Sequence, residues 1–424
     1  MGISYSGSMT DHAASLPRAS ARRSIDSYDP KGKRVFVRAD FNVPTDDAGN
    51  ITDDRRIRGA LPTIQSLIAR GAAVVVASHF GRPAGIGYEA ADSLQPVFVR
   101  LKELLAGQAE VLFAGQTPTD SATQAAVAQL KPGQVLLLEN LRFEKGEKKG
   151  DAAFAATLAG YADAYVNDAF GASHRADASM VALPRAMKLR GAPALAGRLL
   201  EKELQFLGAA LESPKRPFVA IVGGAKVSDK LLALSNLLDK VDMVIVGGAM
   251  AYTFLRAEGV STGSSLVQPE MIEKARDILR AAQERGCTIL LPIDHVCGRA
   301  LAAGTETCEV TGGIPDGWMG LDIGPRSRDL FAEACLTAKQ VVWNGPMGAF
   351  ETAPFDVGTM TIARAVAAAT RTGAITIAGG GDTASALDIA HLADALTHVS
   401  TGGGASLEML EGKRFESVDV LDPA

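Results

Sequence analysis

The amino-acid sequence predicts an α/β protein in which two doubly wound, parallel-sheet domains are joined by a hinge helix. Short apolar runs rich in Val and Ile alternate with longer amphipathic segments along most of the chain. Such an alternation is typical of parallel strands that helices cover on both faces. The runs fall into two sets, one in each half of the chain, and each set is long enough for one Rossmann-like domain.

The predicted strands are ten apolar runs, five in each half. In the first half they cover 34–40, 72–78, 110–115, 134–140 and 163–168, and in the second half 218–224, 243–250, 288–294, 340–346 and 374–381. Each run is short enough for a single strand, and amphipathic segments between them supply the crossover helices that parallel strands require.

The segment 190–217 is the predicted connection between the domains. Four leucines recur there at helical spacing, Leu200, Leu204, Leu207 and Leu211, so the segment predicts an amphipathic hinge helix over 196–212. The chain then divides into a flexible leader (1–23), an N-terminal domain (24–195), a second domain that starts with the hinge helix (196–403) and a C-terminal segment (404–424).

The composition excludes several classes of protein. Hydrophobic residues make up 47% of the chain and charged residues 21%, as in ordinary globular proteins. No apolar run approaches the roughly 18 residues of a membrane span, and the N-terminus lacks the apolar core of a secretory signal. The four cysteines form no CxxC pair, which favours reduced thiols in a cytoplasmic protein. A basic stripe with interleaved aromatics, typical of nucleic-acid binding, is also missing from the sequence.

The charge is unevenly distributed between the two halves. Residues 1–195 contain 23 Lys and Arg against 20 Asp and Glu, whereas residues 196–424 contain 20 against 28. The first half is therefore the better host for a small anion. The acidic second half would need a metal ion to hold a polyphosphate.

Arginines and a histidine follow the predicted strands of the first half. The candidate anion ligands are Arg38, Asp40, Asn42, His79, Arg82, Arg142 and Arg175, together with Arg56 at the start of a helix. A single arginine in a loop is usually just solvated. Several at one end of one sheet predict a pocket for a small, multiply charged acid, because guanidinium groups bind phosphate and carboxylate bidentately.

Glycines follow the strands of the second half, in "VGGAKVSDK", "VGGAMAY", "WNGPMGAFE" and "AGGGDTASA". Glycine lets the backbone approach a ligand, and successive N–H groups bind anions. Lys226 and Lys230, four residues apart, are expected to share one helix face as phosphate ligands. Asp382 is either a Mg²⁺ ligand or a helix N-cap, and the sequence leaves both possibilities open. No Walker A motif is present.

Nine stretches in a fixed order resemble the phosphoglycerate kinase family, over about residues 28–421. They are "GKRVFVRADFNVP", "SHFGRP", "LLENLRF", "YVNDAFGASHRADASMV", "FVAIVGGAKVSDK", "GWMGLDIGP", "VVWNGPMGAFE", "TIAGGGDTASA" and "HVSTGGGASLEMLEGK". The resemblance implies transfer of the acyl phosphate of 1,3-bisphosphoglycerate to Mg-ADP, giving 3-phosphoglycerate and ATP. It also implies a cytoplasmic monomer with small-molecule substrates, whose C-terminal segment packs back on the N-terminal domain.

The resemblance also assigns roles to individual residues. The acid site would use Asp40, Asn42, Arg56, His79, Arg82, Arg142 and Arg175, with Arg38 in the same basic patch. Arg56 and Lys226 would stabilise the transferring phosphoryl group from opposite sides. The nucleotide site would use Lys226, Lys230, Gly320, Glu351, Gly380, Gly381, Asp382 and Thr383, with Asp382 holding the metal.

Two other functions compete with this interpretation. A nicotinamide-dependent dehydrogenase would have a comparable fold, but no GxGxxG motif follows the first strand of either half. A catalytically inactive nucleotide-binding sensor would require loss of Arg56, Lys226 or Asp382, and all three residues are present. The main departures from the family pattern are the longer leader and the tail "EGKRFESVDVL", neither of which touches the predicted site.

Overall fold

The computed structural model describes residues 21–424 and contains two six-stranded parallel sheets. The predicted fold class is therefore correct. Most of the predicted leader, residues 1–20, lies outside the described part of the chain. In the part that the structure describes, no helix is both long and apolar enough to cross a bilayer.

The first sheet contains strands β1 to β6 in the spatial order β3-β4-β2-β1-β5-β6. Their bounds are β1 Arg34–Ala39, β2 Ala73–Ala77, β3 Glu110–Phe113, β4 Gln134–Leu137, β5 Ala164–Asp168 and β6 Ala194–Ala196. Side chains alternate between the two faces, so that Phe36 packs into one apolar cluster while Val35 and Val37 pack into another. Both faces are thus buried, as the continuous apolar runs predicted.

Helices cover both faces of the first sheet. They are α1 Arg55–Ala69, α2 Gln95–Leu104, α3 Ser121–Gln129, α4 Lys145–Lys148, α5 Ala152–Ala159 and α6 Leu183–Leu189. Helix α1 is amphipathic, and its apolar stripe, which includes Ile57, Ile64 and Leu67, is buried. Its first turn lies close to the end of β1, because Arg56 of that turn contacts Asp40.

The second parallel sheet has the spatial order β15-β14-β13-β7-β8-β9. Its strands are β7 Phe218–Val222, β8 Met243–Val246, β9 Thr288–Leu290, β13 Gln340–Asn344, β14 Ile375–Gly379 and β15 His398–Val399. The helices that follow the hinge are α9 Leu231–Leu237, α10 Met250–Ala257, α11 Ile272–Glu284, α12 Pro325–Thr337, α13 Val357–Arg371, α14 Gly381–Ile389, α15 Gly404–Leu410 and α16 Glu416–Asp419.

A three-stranded antiparallel sheet in the second half was not predicted. It contains β10 Asp294–Gly298, β11 Thr307–Thr311 and β12 Met319–Ile323, in the order β11-β10-β12. The predicted strand 288–294 ends at Leu290, and its last residue already belongs to β10. Pro292 separates the two strands, because a proline cannot donate a ladder hydrogen bond.

The hinge segment is helical from Arg198 to Glu212, close to the predicted span. It is not one regular helix, because α7 Arg198–Glu203 and α8 Ala209–Glu212 are separated by a π-helical turn. The buried Glu203 accepts a hydrogen bond from the backbone N–H of Thr401 at 2.9 Å, and its other oxygen lies 2.8 Å from Nε2 of His398. The hinge helix is thereby bonded to the last strand of the second sheet and to the loop that follows it.

The C-terminal segment contacts the first domain. The Asp422 N–H donates to the carbonyl of Ala194, and the Ser417 hydroxyl donates to the carbonyl of Ser173 at 2.6 Å. The Arg22 side chain forms an ion pair with Asp419 at 2.7 Å. The domain boundaries themselves remain predictions.

Candidate active site

The predicted acid ligands meet at the carboxyl edge of the first sheet. Asp40 and Asn42 follow β1, His79 follows β2, Arg142 follows β4 and Arg175 follows β5. Parallel strands of one sheet end at the same edge, and residues far apart in sequence therefore become neighbours there.

His79 lies buried between two arginines. Nη1 of Arg175 lies 3.0 Å from its Nε2, and Nη2 of Arg38 lies 3.3 Å from its Nδ1. A neutral imidazole accepts at one nitrogen only, so it can accept a hydrogen bond from only one of these two arginines. Nδ1 also lies 3.9 Å from Oδ1 of Asp40. Burial and the surrounding guanidinium groups, Arg38 first, hold the pKa of His79 well below 6.5.

Arg56 joins the start of α1 to the loop after β1. Its Nη1 donates to Oδ2 of Asp40 at 2.9 Å and to the carbonyl of Asn42 at 3.1 Å. The Asn42 side chain in turn accepts a hydrogen bond from the Gly81 N–H at 2.9 Å. The guanidinium of Arg56 is held on one side while 31% of its side chain stays exposed. It can therefore still bind a ligand.

Arg142 is buried with part of its hydrogen-bonding capacity unused. Its Nη1 donates to the carbonyl of Gly81 at 2.8 Å, but its buried Nε has no hydrogen-bond partner among residues 21–424. Burial and the nearby Arg175 lower the pKa of Arg142. A buried donor without a partner is costly, and an anionic ligand would satisfy it.

Arg38 is held by two residues that sequence reasoning missed. Its Nε donates to the Ser179 hydroxyl at 2.8 Å, and its Nη2 lies 3.9 Å from Oε1 of the fully buried Glu147. Burial raises the pKa of Glu147, and the Arg38 charge opposes that rise. The sequence did not single them out, because their contacts with Arg38 depend on how helix α4 and the turn before α6 pack against β1. Arg38 contacts His79 and is itself fully buried.

Arg82 is set apart from this cluster. Its side chain is exposed, and within residues 21–424 it forms no ion pair. Its backbone N–H donates to Asp92 at 3.2 Å. The structure thus brings the other predicted acid ligands together and leaves the Arg82 guanidinium in solvent.

The glycine-rich loop after β14 leads directly into a helix. Gly380 is the N-cap of α14 with φ at +93°, a conformation that favours glycine. Gly381 and Asp382 are exposed in the first turn of that helix. Because Gly380 occupies the cap position, the N-cap explanation of Asp382 is wrong. The free backbone N–H groups of this turn point to an anion site.

The remaining predicted nucleotide residues have different surroundings. The buried Thr383 hydroxyl accepts a hydrogen bond from the Gly345 N–H at 2.7 Å. Gly320 lies on β12, and a Cβ there would come within 2.1 Å of the Tyr252 hydroxyl oxygen. Glu351 is exposed in the turn between β13 and α13. Thr383 and Gly320 are therefore tied to the packing of the loops around them.

Lys226 and Lys230 do not share a helix face, contrary to expectation. Helix α9 begins at Leu231, and both lysines lie in the loop before it. Lys226 is exposed, whereas Lys230 is half-buried with Nζ against Oδ1 of Asn344. Burial lowers the pKa of Lys230, and the nearby Asp382 opposes that effect.

A cavity of about 890 Å³ lies between the two domains. Asn42 and Arg56 line it from the first domain, and Gly380, Gly381 and Gly403 line it from the second. The other predicted ligands of the second domain, Lys226, Lys230, Gly320, Glu351, Asp382 and Thr383, do not line this cavity. An ion pair of 2.6 Å between Arg55 of α1 and Asp388 of α14 also joins the domains.

Asp382 is the predicted metal ligand of the second domain. Within residues 21–424 no group of three or more His, Cys, Asp and Glu side chains is placed to hold a metal. Mg²⁺ in kinases needs only one or two carboxylates beside the substrate phosphates and water. The exposed Asp382, in the first turn of α14 and close to Lys230, fits that requirement.

Comparison with known proteins agrees with the site geometry. The family profile described as "Phosphoglycerate kinase" matches residues 25–413. A phosphoglycerate kinase of Anaeromyxobacter sp. (strain K) is 52% identical over 404 residues, which are 95% of this chain and 100% of that protein. One of Chloroflexus aurantiacus is 50% identical over 404 residues, with 95% and 99% covered.

Two solved structures have the same architecture. The phosphoglycerate kinase of Coxiella burnetii superimposes with a TM-score of 0.84 at 39% identity, covering 94% of this chain and 98% of that one. The enzyme of Pyrococcus horikoshii OT3 gives a TM-score of 0.78 at 30% identity, also with 94% and 98% covered.

The chain belongs to the phosphoglycerate kinase family. The predictions of the family, of the two-sheet fold and of a phosphotransferase that uses a carboxyl group as acceptor are therefore confirmed. A dehydrogenase is excluded by this membership. Nothing in the comparisons supports the inactive-sensor alternative.

Proposed function

We propose that this phosphoglycerate kinase binds the acid on its first domain and Mg-ADP or Mg-ATP on its second. The acid would contact Arg38, Asp40, Asn42, Arg56, His79, Arg82, Arg142 and Arg175. The nucleotide would contact Lys226, Lys230, Gly320, Glu351, Gly380, Gly381, Asp382 and Thr383. The phosphoryl group then crosses the cavity between the domains, reversibly and without a covalent enzyme intermediate.

The state of Arg142 is the observation that carries the assignment of the acid. Its buried Nε lacks a hydrogen-bond partner in the described part of the chain, and the neighbouring Arg175 adds a second positive charge. A carboxylate or phosphate oxygen would satisfy that donor and offset the repulsion between the two guanidinium groups. Arg82, which lies in solvent, is expected to move inward only when acid is bound.

Arg56 and Lys226 are the proposed catalytic residues. Phosphoryl transfer passes through a loose transition state whose charge is spread over three oxygens, so that catalysis depends on positioned cations rather than on a base. Asp40 holds one side of the Arg56 guanidinium, which aims the remaining donors at the cavity. Lys226, exposed and outside ion pairs within the described chain, is available from the opposite side.

Asp382 is the proposed ligand of Mg²⁺. When bound, the metal would neutralise charge on the nucleotide phosphates. The acidic balance of the second half of the chain agrees with a metal-bound polyphosphate rather than a bare one. The Gly381 N–H, at the start of α14, would donate to the same phosphates.

Domain closure is the proposed step that completes the site. Arg56 and Gly380 line one cavity, but Lys226 and Asp382 do not. Rotation about the hinge helix would bring Lys226 and Asp382 towards the cavity that Arg56 and Gly380 line. It would also expel water that competes for the phosphoryl group. We further propose that the chain acts as a cytoplasmic monomer, with no nucleic-acid or membrane partner.

A coupled assay tests these proposals. ATP-dependent phosphorylation of 3-phosphoglycerate is measured with Mg²⁺ present and again after chelation, and turnover that requires the metal is the expected result. If both substrates bind by calorimetry and no turnover is seen, the chain is not an active kinase. If turnover survives chelation, the role of Asp382 is wrong.

A further inference from the structure

Two of the four cysteines face each other across the antiparallel sheet. Cys297 on β10 is the direct ladder partner of Cys308 on β11, and both are free thiols. Directly opposed residues of an antiparallel pair have Cα atoms about 4.5 to 5.5 Å apart and side chains on the same face of the sheet. A disulfide spans Cα separations of about 4.4 to 6.8 Å. The backbone is therefore already positioned for a bond between these two residues.

The two thiols share one environment but differ in access. Both pack in the apolar cluster around Tyr252, where Cys297 is fully buried and Cys308 is half-buried. Burial and the adjacent Cys308 raise the pKa of Cys297 to about 12. Cys308 is therefore the thiol that an external reagent reaches first, and Cys297 lies beside it to react second.

The remaining cysteines lie outside this sheet. Cys335 is buried in α12, and Cys287 is buried before β9. Burial raises the pKa of the Cys335 thiol to about 12 and that of Cys287 to about 11. They serve as internal references for a reaction that is specific to the cross-strand pair.

We propose that Cys297 and Cys308 are a redox-active dithiol that exchanges with small-molecule disulfides and forms a reversible cross-strand disulfide. The Cys308 thiolate attacks a disulfide RSSR, forming a Cys308–SR bond and releasing one thiolate. Cys297 then loses its proton and attacks the Cys308 sulfur, which expels the second thiolate. Two protein thiols are oxidised to one disulfide, and RSSR is reduced to two RSH that take up both protons.

The two cysteines lie close to one residue of the proposed nucleotide site. Cys297 is also the ladder partner of Gly320 on β12, at a bulge in that pairing. The dithiol therefore lies one strand from a glycine with a proposed nucleotide contact. The exchange itself does not depend on that role and can be scored without any activity measurement.

The test uses the full chain and oxidised glutathione. After incubation the thiols are trapped by alkylation, counted by mass spectrometry and mapped in a non-reducing digest. We expect two of the four thiols to disappear, a link between the peptides of Cys297 and Cys308, and full recovery with dithiothreitol. Cys335→Ser is the matched control that keeps the link, and Cys308→Ser is the variant that abolishes it.

Several results would overturn the proposal. They are retention of all four thiols, a stable glutathione adduct on Cys308 without the second step, or a link between other cysteines. Differential alkylation of the unmodified chain serves if a variant misfolds. Cys308 should be labelled before the other three cysteines, and blocking it should prevent any later link to Cys297.

Discussion

Replacing Lys226 with alanine should lower turnover while leaving the free energy of unfolding almost unchanged. The Lys226 side chain is exposed and lies in the loop before α9. Truncating such a side chain usually changes the free energy of unfolding by less than about 0.5 kcal/mol. If Lys226 contacts the phosphoryl group only in the transition state, its loss should lower turnover by about 100-fold or more, or about 2.7 kcal/mol of the barrier.

Turnover and stability are measured on the same preparations of the wild type and of each variant. Turnover is followed by the coupled assay with saturating 3-phosphoglycerate and Mg-ATP, and the unfolding free energy by urea denaturation. The matched control is Lys339→Ala, which removes another exposed lysine, directly before β13 and therefore at the opposite edge of the sheet from the loop of Lys226. This control should change neither quantity.

Lys230→Ala should behave differently from Lys226→Ala. Lys230 is half-buried against Asn344, so its removal should lower stability as well as activity. Unchanged turnover in Lys226→Ala would refute the catalytic role of that residue. An equal loss of stability in both lysine variants would show that the exposed position of Lys226 does not describe the enzyme in solution.

Three further perturbations test the first domain and the cleft. Arg142→Ala should raise KM for 3-phosphoglycerate by about tenfold or more, because a charged hydrogen bond is lost. A larger effect on nucleotide affinity would mean that the first domain binds the nucleotide and not the acid. His79 has a lowered pKa, so the unfolded chain takes up a proton below pH 6.5 before the folded one does. The stability of the wild type relative to His79→Gln should then fall by up to about 1.4 kcal/mol per pH unit below that value in urea titrations, and a constant difference would mean that His79 has the same pKa in the folded and the unfolded chain. A double-mutant cycle of Arg55→Gln with Asp388→Asn should give a coupling energy in the free energy of unfolding of about 0.2 to 1 kcal/mol. Because the pair is partly exposed, this coupling should weaken at high salt, and a coupling energy independent of salt would contradict its exposure.

Local sequence determined much of the two-domain fold. Ten strands were predicted because a parallel strand buried on both faces needs a continuous apolar run, and such a run is visible without knowing its neighbours. The strands that were missed are either very short edges, such as β6 with the residues "ALA", or the antiparallel β10 to β12. Their pairing depends on partners elsewhere in the chain.

Some features of the candidate site could likewise be predicted from local sequence, and others could not. Arg142 and Gly380 were predicted because they follow strands, and the ends of parallel strands meet at one edge. The helix face assumed for Lys226 and Lys230 was wrong, since the spacing of two residues does not reveal where a helix begins.

Sequence by itself thus determined the fold class, the family and the residue types at the strand ends, because each depends on local pattern. Only the tertiary structure decided that Glu147 and Ser179 hold Arg38, that Arg82 lies in solvent, and that Cys297 faces Cys308. Burial and strand register set these contacts, and both depend on the simultaneous packing of segments that are distant in the chain.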